Sequence, residues 1–168
     1  MTIALIAVMM LAVSAAVPPR ALDVPLIRQA QEHCGPAALE MVLRFYGADS
    51  TAHREAERAY DPVLHGALIT DLAAAARRAG FEAGIATLGD SALVALIEQG
   101  VPPIVLYQNG RSPVTVPHYA VVVGWNGASE TFTLHDGSAN ARTMKRAEMA
   151  GRWRTAGNQA LVVRRRGP

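Results

Sequence analysis

One cysteine and five histidines are the residues of this 168-residue sequence from which a nucleophile and its base can be drawn. Cys34 is followed by Gly-Pro and by an apolar run with helical spacing. The free N–H groups and the dipole at the start of a helix favour a thiolate. Pro36 suits a first turn, and Gly35 is expected to leave open space for a substrate carbonyl beside the sulfur. We therefore predict a reactive thiol, with a small, inert, buried cysteine as the alternative.

A nucleophilic thiol needs a base within hydrogen-bond reach and a group that orients the base. His118 is the best candidate for the base, because it opens the apolar strand-like run HYAVVVGW, which would leave the imidazole at the end of a sheet. The pattern alone leaves a structural role for His118 equally open. The other histidines adjoin the thiol in the chain, lie in a polar helix or a turn, or face the other side of a strand: His33, His53, His65 and His135.

Asp136 follows the next apolar run, in the turn sequence TLHDGS. Adjacent antiparallel strands bring the start of one strand beside the end of the next. The Asp136 carboxylate is therefore expected to hold one nitrogen of His118, with an Asx-turn as the alternative role. Before Cys34, the side-chain amide of Gln29 is the preferred partner of the Cys34 backbone N–H in an oxyanion hole, and Gln31 is the alternative.

A helical first half and a strand-rich second half must position these residues. Helical spacing and capping residues predict helices over 34–47, 51–60 with Ser50 as its cap, 67–80, and 91–100 with Asp90 as its cap. β-branched or apolar runs between turn signals predict strands over 81–87, 103–108, 118–125, 131–136 and 159–165, and residues 107–117 are expected to form a flexible flap. The order indicates an α+β fold in which a helical half packs on an antiparallel sheet.

Length and composition limit the possible functions. A chain of 168 residues that is 51% apolar can form one domain with a substantial core, and we place that domain at 20–168. A net charge of +2 does not provide the dense basic surface of a nucleic-acid binder. One cysteine and scattered histidines lack the close spacing of metal ligands, so we predict no metal and no other cofactor.

Residues 1–19 contain an uncharged stretch from Thr2 to Pro19 that ends in small residues and prolines. This pattern indicates a signal peptide or an N-terminal membrane anchor, although no Lys or Arg precedes the apolar run. The apolar core is shorter than the roughly 20 residues of a spanning helix. We therefore expect export to the periplasm or the extracellular space, with retention at the membrane if the segment is not cleaved.

The segment VPLIRQAQEHCGPAALEMVLRFYG resembles the active-site segment of the bacteriocin-processing, double-glycine-leader cysteine peptidases (cysteine-peptidase family 39), a papain-like group. The later PHYAVVVGW and LHDGS segments resemble the family's histidine strand and aspartate turn, and the resemblance runs from about residue 24 to residue 153. It implies a papain-like fold with a central cysteine-bearing helix. It also implies a triad of Cys34, His118 and Asp136, with Gln29 in the oxyanion hole.

The resemblance implies a cysteine endopeptidase that acts on a peptide or protein, after a small-residue or double-glycine leader. Many members of the family are fused to an ATP-driven exporter. This sequence has no G-x-x-x-x-G-K-[ST] loop, so we expect no ATP binding, a free-standing peptidase and a separately encoded envelope exporter as partner. A non-catalytic peptide-binding module on the same fold is the alternative function. The sequence does not separate hydrolysis from acyl transfer.

Overall fold

A computed structural model describes residues 19–111 and 113–167, which form five helices and one seven-stranded sheet. The helices are α1 (Cys34–Phe45), α2 (Asp49–Glu57), α3 (Ile69–Arg78), α4 (Asp90–Glu98) and α5 (Arg146–Arg154). The strands are β1 (Arg20–Ala21), β2 (Glu82–Thr87), β3 (Ile104–Arg111), β4 (Val114–Asn126), β5 (Thr131–His135), β6 (Arg142–Lys145) and β7 (Gln159–Arg164). The predicted signal peptide or anchor lies outside the described residues, except for Pro19.

All strand pairs in the sheet are antiparallel. The strand order is β2-β7-β3-β4-β5-β6, and β1 pairs with β4. The prediction of an α+β fold with helices packed on an antiparallel sheet is confirmed. None of the helices in the described part of the chain is long and apolar enough to cross a bilayer.

Helix α1 is buried nearly all around, because α2 and α3 cover it on one side and the sheet on the other. Leu39, Val42 and Leu43 are fully buried, as their helical spacing predicts. Glu40 is the charged residue of the helix that is buried, and it accepts hydrogen bonds from Arg44 at 2.8 Å and from His53 at 2.9 Å. On the opposite face of the sheet, α4 and α5 enclose a second core.

The described residues of the predicted flap at 107–117 belong to a paired β-hairpin. β3 and β4 stay in register from Ile104 opposite Val121 to Arg111 opposite Val114. The β-branched residues of β4 favour this pairing, and Gly110 has a φ of +108° beside the turn. β5 joins β4 only from Val121 onwards, so the hairpin extends past the end of β5. In the described chain, His118 lies in the part of β4 that β5 does not pair.

Several predicted element boundaries were wrong. Ser50 lies inside α2, whose N-cap is Ala48, and Asp90 is the first residue of α4, whose N-cap is Gly89. In the described residues neither N-cap makes a side-chain hydrogen bond, and Asp90 instead accepts one from the Ser91 backbone N–H at 3.0 Å inside the first turn. Helix α5 was not predicted, because it buries only Met149 and Trp153 and shows little apolar periodicity. Strand β6 was not predicted either.

Candidate active site

Cys34 is the first residue of α1, as predicted, and it is half-buried. Burial alone would raise the pKa of its thiol. Hydrogen bonds from the His118 side chain and from the backbone N–H groups of Tyr119 and Gly35, together with the charge of His118, bring that pKa below its ordinary value. The sulfur therefore lies where several donors favour the thiolate.

The part of the β3–β4 hairpin that extends past the end of β5, called the overhang below, lies at the start of α1. The β4 residues from Val114 to Ala120 have no β5 partner in the part of the chain that the structure describes. The backbone N–H of Tyr119 lies in this segment and helps to lower the pKa of the Cys34 thiol. His118 lies inside β4, opposite Tyr107 of β3, and not at the beginning of a strand as predicted. The overhang thus positions both the imidazole and a backbone donor.

The two ring nitrogens of His118 have different partners. Nε2 donates a hydrogen bond to the backbone carbonyl of Asp136 at 2.9 Å, which leaves Nδ1 for the Cys34 sulfur. Burial would lower the pKa of His118, but the contact with Cys34 and the bond to Asp136 raise it above its ordinary value. A raised imidazole pKa beside a lowered thiol pKa favours a thiolate–imidazolium pair.

Asp136 lies beside His118, but, contrary to the prediction, its carboxylate does not hold the imidazole. Asp136 Oδ1 accepts a hydrogen bond from the Ser138 backbone N–H at 3.1 Å and another from the Ser138 hydroxyl, and Oδ2 lies 3.6 Å from Nη1 of Arg142. Burial would raise the pKa of Asp136, yet the Ser138 bonds and the charges of His118 and Arg142 lower it. The side chain thus makes the Asx-turn considered as the alternative, while the backbone carbonyl bonds the imidazole.

Gln29 lies against the turn that contains Asp136. Its backbone N–H donates to the carbonyl of Gly137 at 3.0 Å. Its amide oxygen is buried and has no hydrogen-bond partner among the described residues. The Gln31 side chain is exposed, and its backbone carbonyl accepts a hydrogen bond from His33 at 2.7 Å. The Gln29 side chain is thus turned inward beside the Asp136 turn, whereas the Gln31 side chain is exposed.

The space beside Gly35 is filled, which corrects the expectation of an open approach there. A Cβ at this position would lie 3.0 Å from the Cβ of Ala67 and 3.2 Å from the Tyr119 ring. Gly35 therefore allows close packing of α1 against the 61–68 loop and β4. The approach to the sulfur must come from another side.

Three of the other four histidines have side-chain partners of their own in the described residues. The His33 ring stacks on Tyr60 with ring centroids 4.1 Å apart. His53 bonds Glu40, and His65 bonds Glu32 at 3.0 Å, while burial lowers the pKa of His135. None of these four is among the groups that shift the pKa of Cys34 in the described residues. Within residues 19–111 and 113–167, no three His, Cys, Asp or Glu side chains converge as metal ligands would.

Sequence reasoning missed Tyr107, whose ring meets the His118 ring edge to face at 5.8 Å and 88°. Tyr107 is fully buried, and burial, with the charge of Asp136, raises its pKa to about 12. Its hydroxyl has no partner in the described chain. The signal was present in the sequence, because an antiparallel pairing of the two apolar runs sets Tyr107 opposite His118.

A protein-family model described as the Peptidase_C39 like family matches residues 21–161. The chain belongs to this family. The resemblance seen in the cysteine segment is thereby confirmed, and the coarser prediction of a cysteine peptidase follows from the family. No curated protein matches the chain.

Solved structures of C39 peptidases share the fold. The peptidase domain of Streptococcus ComA, a bifunctional ABC transporter involved in quorum sensing, has a TM-score of 0.66 at 21% identity and covers 88% of this chain and 98% of its own. A C39-like peptidase from Bacillus anthracis has a TM-score of 0.71 at 15% identity, covering 90% and 100%. A double glycine motif protease from an AMS/PCAT transporter, in complex with its leader peptide, has a TM-score of 0.68 at 21% identity, covering 89% and 99%. The papain-like C39 fold is therefore confirmed.

Proposed function

We propose that this C39-family chain is a thiol endopeptidase in which Cys34 is the nucleophile and His118 is the base. The observation that carries the proposal is the imidazole of His118, which the Asp136 carbonyl holds at 2.9 Å while Cys34 at the start of α1 and His118 shift each other's pKa, that of the thiol down and that of the imidazole up. Asp136 orients His118 through its backbone carbonyl. A thiolate is available near neutral pH in such a pair, and the imidazolium can supply a proton.

In the proposed reaction, the Cys34 thiolate attacks the carbonyl carbon of the scissile bond, and the carbonyl oxygen takes the negative charge. The Gln29 amide and the backbone N–H of Cys34 donate hydrogen bonds to that oxygen. His118 gives its Nδ1 proton to the leaving amine, which leaves a thioester on Cys34. A water molecule then loses a proton to His118 and attacks the thioester, which releases the acid and restores the thiolate–imidazolium pair.

The proposed substrate is a peptide or protein cleaved after a small residue, such as the second glycine of a double-glycine leader. Its support is similarity alone: one of the related structures is described as a double glycine motif protease in complex with a leader peptide. We also propose that the chain is exported and that any exporter it serves is a separate protein. Transfer of the acyl group to an amine would use the same first step.

The test is incubation with a synthetic peptide that contains one Gly-Gly pair, and with a matched peptide that contains Val-Val, followed by mass spectrometry of the products. Wild type is expected to cut the Gly-Gly peptide, whereas Cys34→Ala and His118→Ala are not. Gln31→Ala serves as the control, because its side chain is exposed outside the site. Cleavage by Cys34→Ala at the wild-type rate would refute the nucleophile, and binding without cleavage by wild type would favour the peptide-binding module.

A further inference from the structure

The Arg142 side chain contacts the two segments that carry His118 and its acceptor, namely the β3–β4 hairpin and the loop after β5. Arg142 lies on the edge strand β6, opposite Leu134 of β5. Its Nη1 donates a hydrogen bond to Oδ1 of Asn109 at 3.0 Å and lies 3.6 Å from Oδ2 of Asp136. Asn109 belongs to the β3–β4 hairpin, and Asp136 begins the loop after β5. One guanidinium therefore joins two segments that are far apart in the sequence.

These two contacts hold the segments that carry the donor and the acceptor of the hydrogen bond between His118 and Asp136. Tyr107 pairs with His118, and Asn109 is two residues further along β3, so Asn109 and His118 lie on the same face of the hairpin. On the loop side, Asp136 uses its carboxylate toward Arg142 and its backbone carbonyl toward His118. The distance from the imidazole to its acceptor thus depends on how the hairpin and the loop are held relative to each other.

Resting on the proposed function, we propose that Arg142 is a positioning residue. Its guanidinium bridges the hairpin at Asn109 and the loop at Asp136, and so keeps the Asp136 carbonyl within hydrogen-bond distance of His118. Arg142 acts on the sulfur of Cys34 only through this imidazole. A guanidinium suits the position because its donors are fixed in one plane and can reach two acceptors at once, whereas a lysine ammonium is a single point charge.

The charged and titratable groups around this hydrogen bond come from six elements. They are Cys34 of α1, Tyr107 of β3, His135 of β5, Asp136 of the loop after β5, Arg142 of β6 and Arg152 of α5. The negative charge of Asp136 and the charge of Cys34 act on His118, and the positive charge of Arg142 acts on Asp136. Loss of the bridge is expected to lengthen the hydrogen bond from His118 to the Asp136 carbonyl, and so to weaken the imidazolium and, with it, the thiolate.

The experiment measures the rate at which iodoacetamide alkylates Cys34 as a function of pH, which needs no knowledge of the substrate. Wild type is expected to react with a midpoint below that of a free thiol. Arg142→Met and Asn109→Leu are each expected to raise the midpoint by about one pH unit. The double variant is expected to shift no further than the larger single shift, because both changes break one bridge.

Arg146→Met is the matched control. Arg146 and Arg142 side chains are equally exposed, at 35%, and both pair with a carboxylate, but Arg146 pairs with Asp90. Arg146→Met is expected to keep the wild-type profile. Thermal unfolding of every variant separates a loss of fold from a loss of positioning, and Asn109→Leu keeps the test available if Arg142→Met does not fold.

The outcomes distinguish this inference from the proposed function. If wild-type Cys34 reacts like a free thiol, the proposed function fails. The alternative is that the alkylation midpoint of wild type lies below that of a free thiol. If Arg142→Met then has the wild-type midpoint, or a midpoint no higher than that of Arg146→Met, only the positioning role is overturned. A wild-type profile in Arg142→Lys would show that charge alone suffices and would overturn the bridge, whereas a profile between wild type and Arg142→Met would support it.

Discussion

Nε2 of His118 donates its hydrogen bond to the backbone carbonyl of Asp136, at 2.9 Å, and the carboxylate of the same residue bonds Ser138. The acceptor for the imidazole therefore does not depend on which side chain occupies position 136. The side chain acts instead by folding the turn that presents the carbonyl and by contributing a negative charge to the site.

Asp136→Asn is expected to keep much of the activity for this reason. Asparagine can still accept the Ser138 bonds that hold the turn, and only the charge is lost, so kcat/KM should fall about tenfold, the equivalent of one pKa unit. Asp136→Ala removes the turn contacts as well and is expected to lose more. The measurement is the rate of Gly-Gly peptide cleavage, and an Asp136→Asn variant as inactive as His118→Ala would show that the carboxylate is the essential orienting group.

The reaction rate is expected to show a broad bell-shaped dependence on pH. The pKa of Cys34 is lowered and that of His118 is raised. The thiolate–imidazolium pair therefore forms as the pH rises through the pKa of Cys34, and it is lost as the pH rises through the pKa of His118. The two apparent values belong to the coupled pair. Alkylation of Cys34 in His118→Ala should shift toward the profile of a free thiol, at a pKa of about 8.5. An unchanged profile in that variant would exclude His118 as the partner.

Gln29→Ala is expected to lower kcat by about 10²- to 10³-fold, with little change in KM, because an oxyanion donor acts on the transition state. Gln31→Ala is the matched control and is expected to stay near wild type. Steady-state kinetics on the Gly-Gly peptide measure both. Equal losses in the two variants would contradict the assignment of Gln29.

Gly137→Ala is expected to displace the Gln29 side chain, which packs against residue 137. A Cβ at residue 137 would lie 2.5 Å from the Gln29 amide oxygen, and the φ of +81° disfavours any side chain there. Gly137→Ala should lower kcat as Gln29→Ala does. The double variant with both substitutions should have a kcat no lower than that of the more damaging single variant. Additive losses would show that Gly137 acts on the site by another route.

His53 is expected to stabilise the α1–α2 contact only at acid pH. Its hydrogen bond to buried Glu40 raises the pKa of His53, so the stabilisation is present below the unfolded pKa of about 6.5 and is lost as the pH rises through the higher folded value. The His53 side chain is 65% exposed, so the effect should be at most about 1 kcal/mol, or about 2 to 4 °C in Tm.

Thermal unfolding of His53→Gln at pH 5.5 and at pH 9 checks this expectation. The matched control is His65→Gln, because the His65 side chain is similarly exposed, at 69%, and pairs with Glu32, which is itself solvent-accessible. The loss of Tm in His53→Gln should be larger at pH 5.5 than at pH 9. Equal losses at the two pH values would mean that neutral packing, and not the ion pair, accounts for the role of His53.

The elements with a strong periodic pattern could be predicted from the sequence. The helix that begins at Cys34 and the apolar cores of four strands have spacings that match one buried face, and burial of that face outweighs weak local preferences. Helix α5 could not be predicted, because it buries only Met149 and Trp153. The length of the β3–β4 hairpin was also missed, since the register with β3 depends on backbone pairing that polar residues such as Gln108 and Asn109 do not signal.

The sequence by itself determined that a lone thiol opens a helix, that His118 lies on one strand and Asp136 just after the next, and that the chain resembles the C39 peptidases. Only the tertiary structure decided which atoms meet. The Asp136 carbonyl, the Tyr119 N–H and the Arg142 bridge depend on where β5 ends relative to β4, and hydrogen-bond partners change over distances of about 1 Å. Residue types and spacings specify which groups are available, but the register of the strands specifies the contacts.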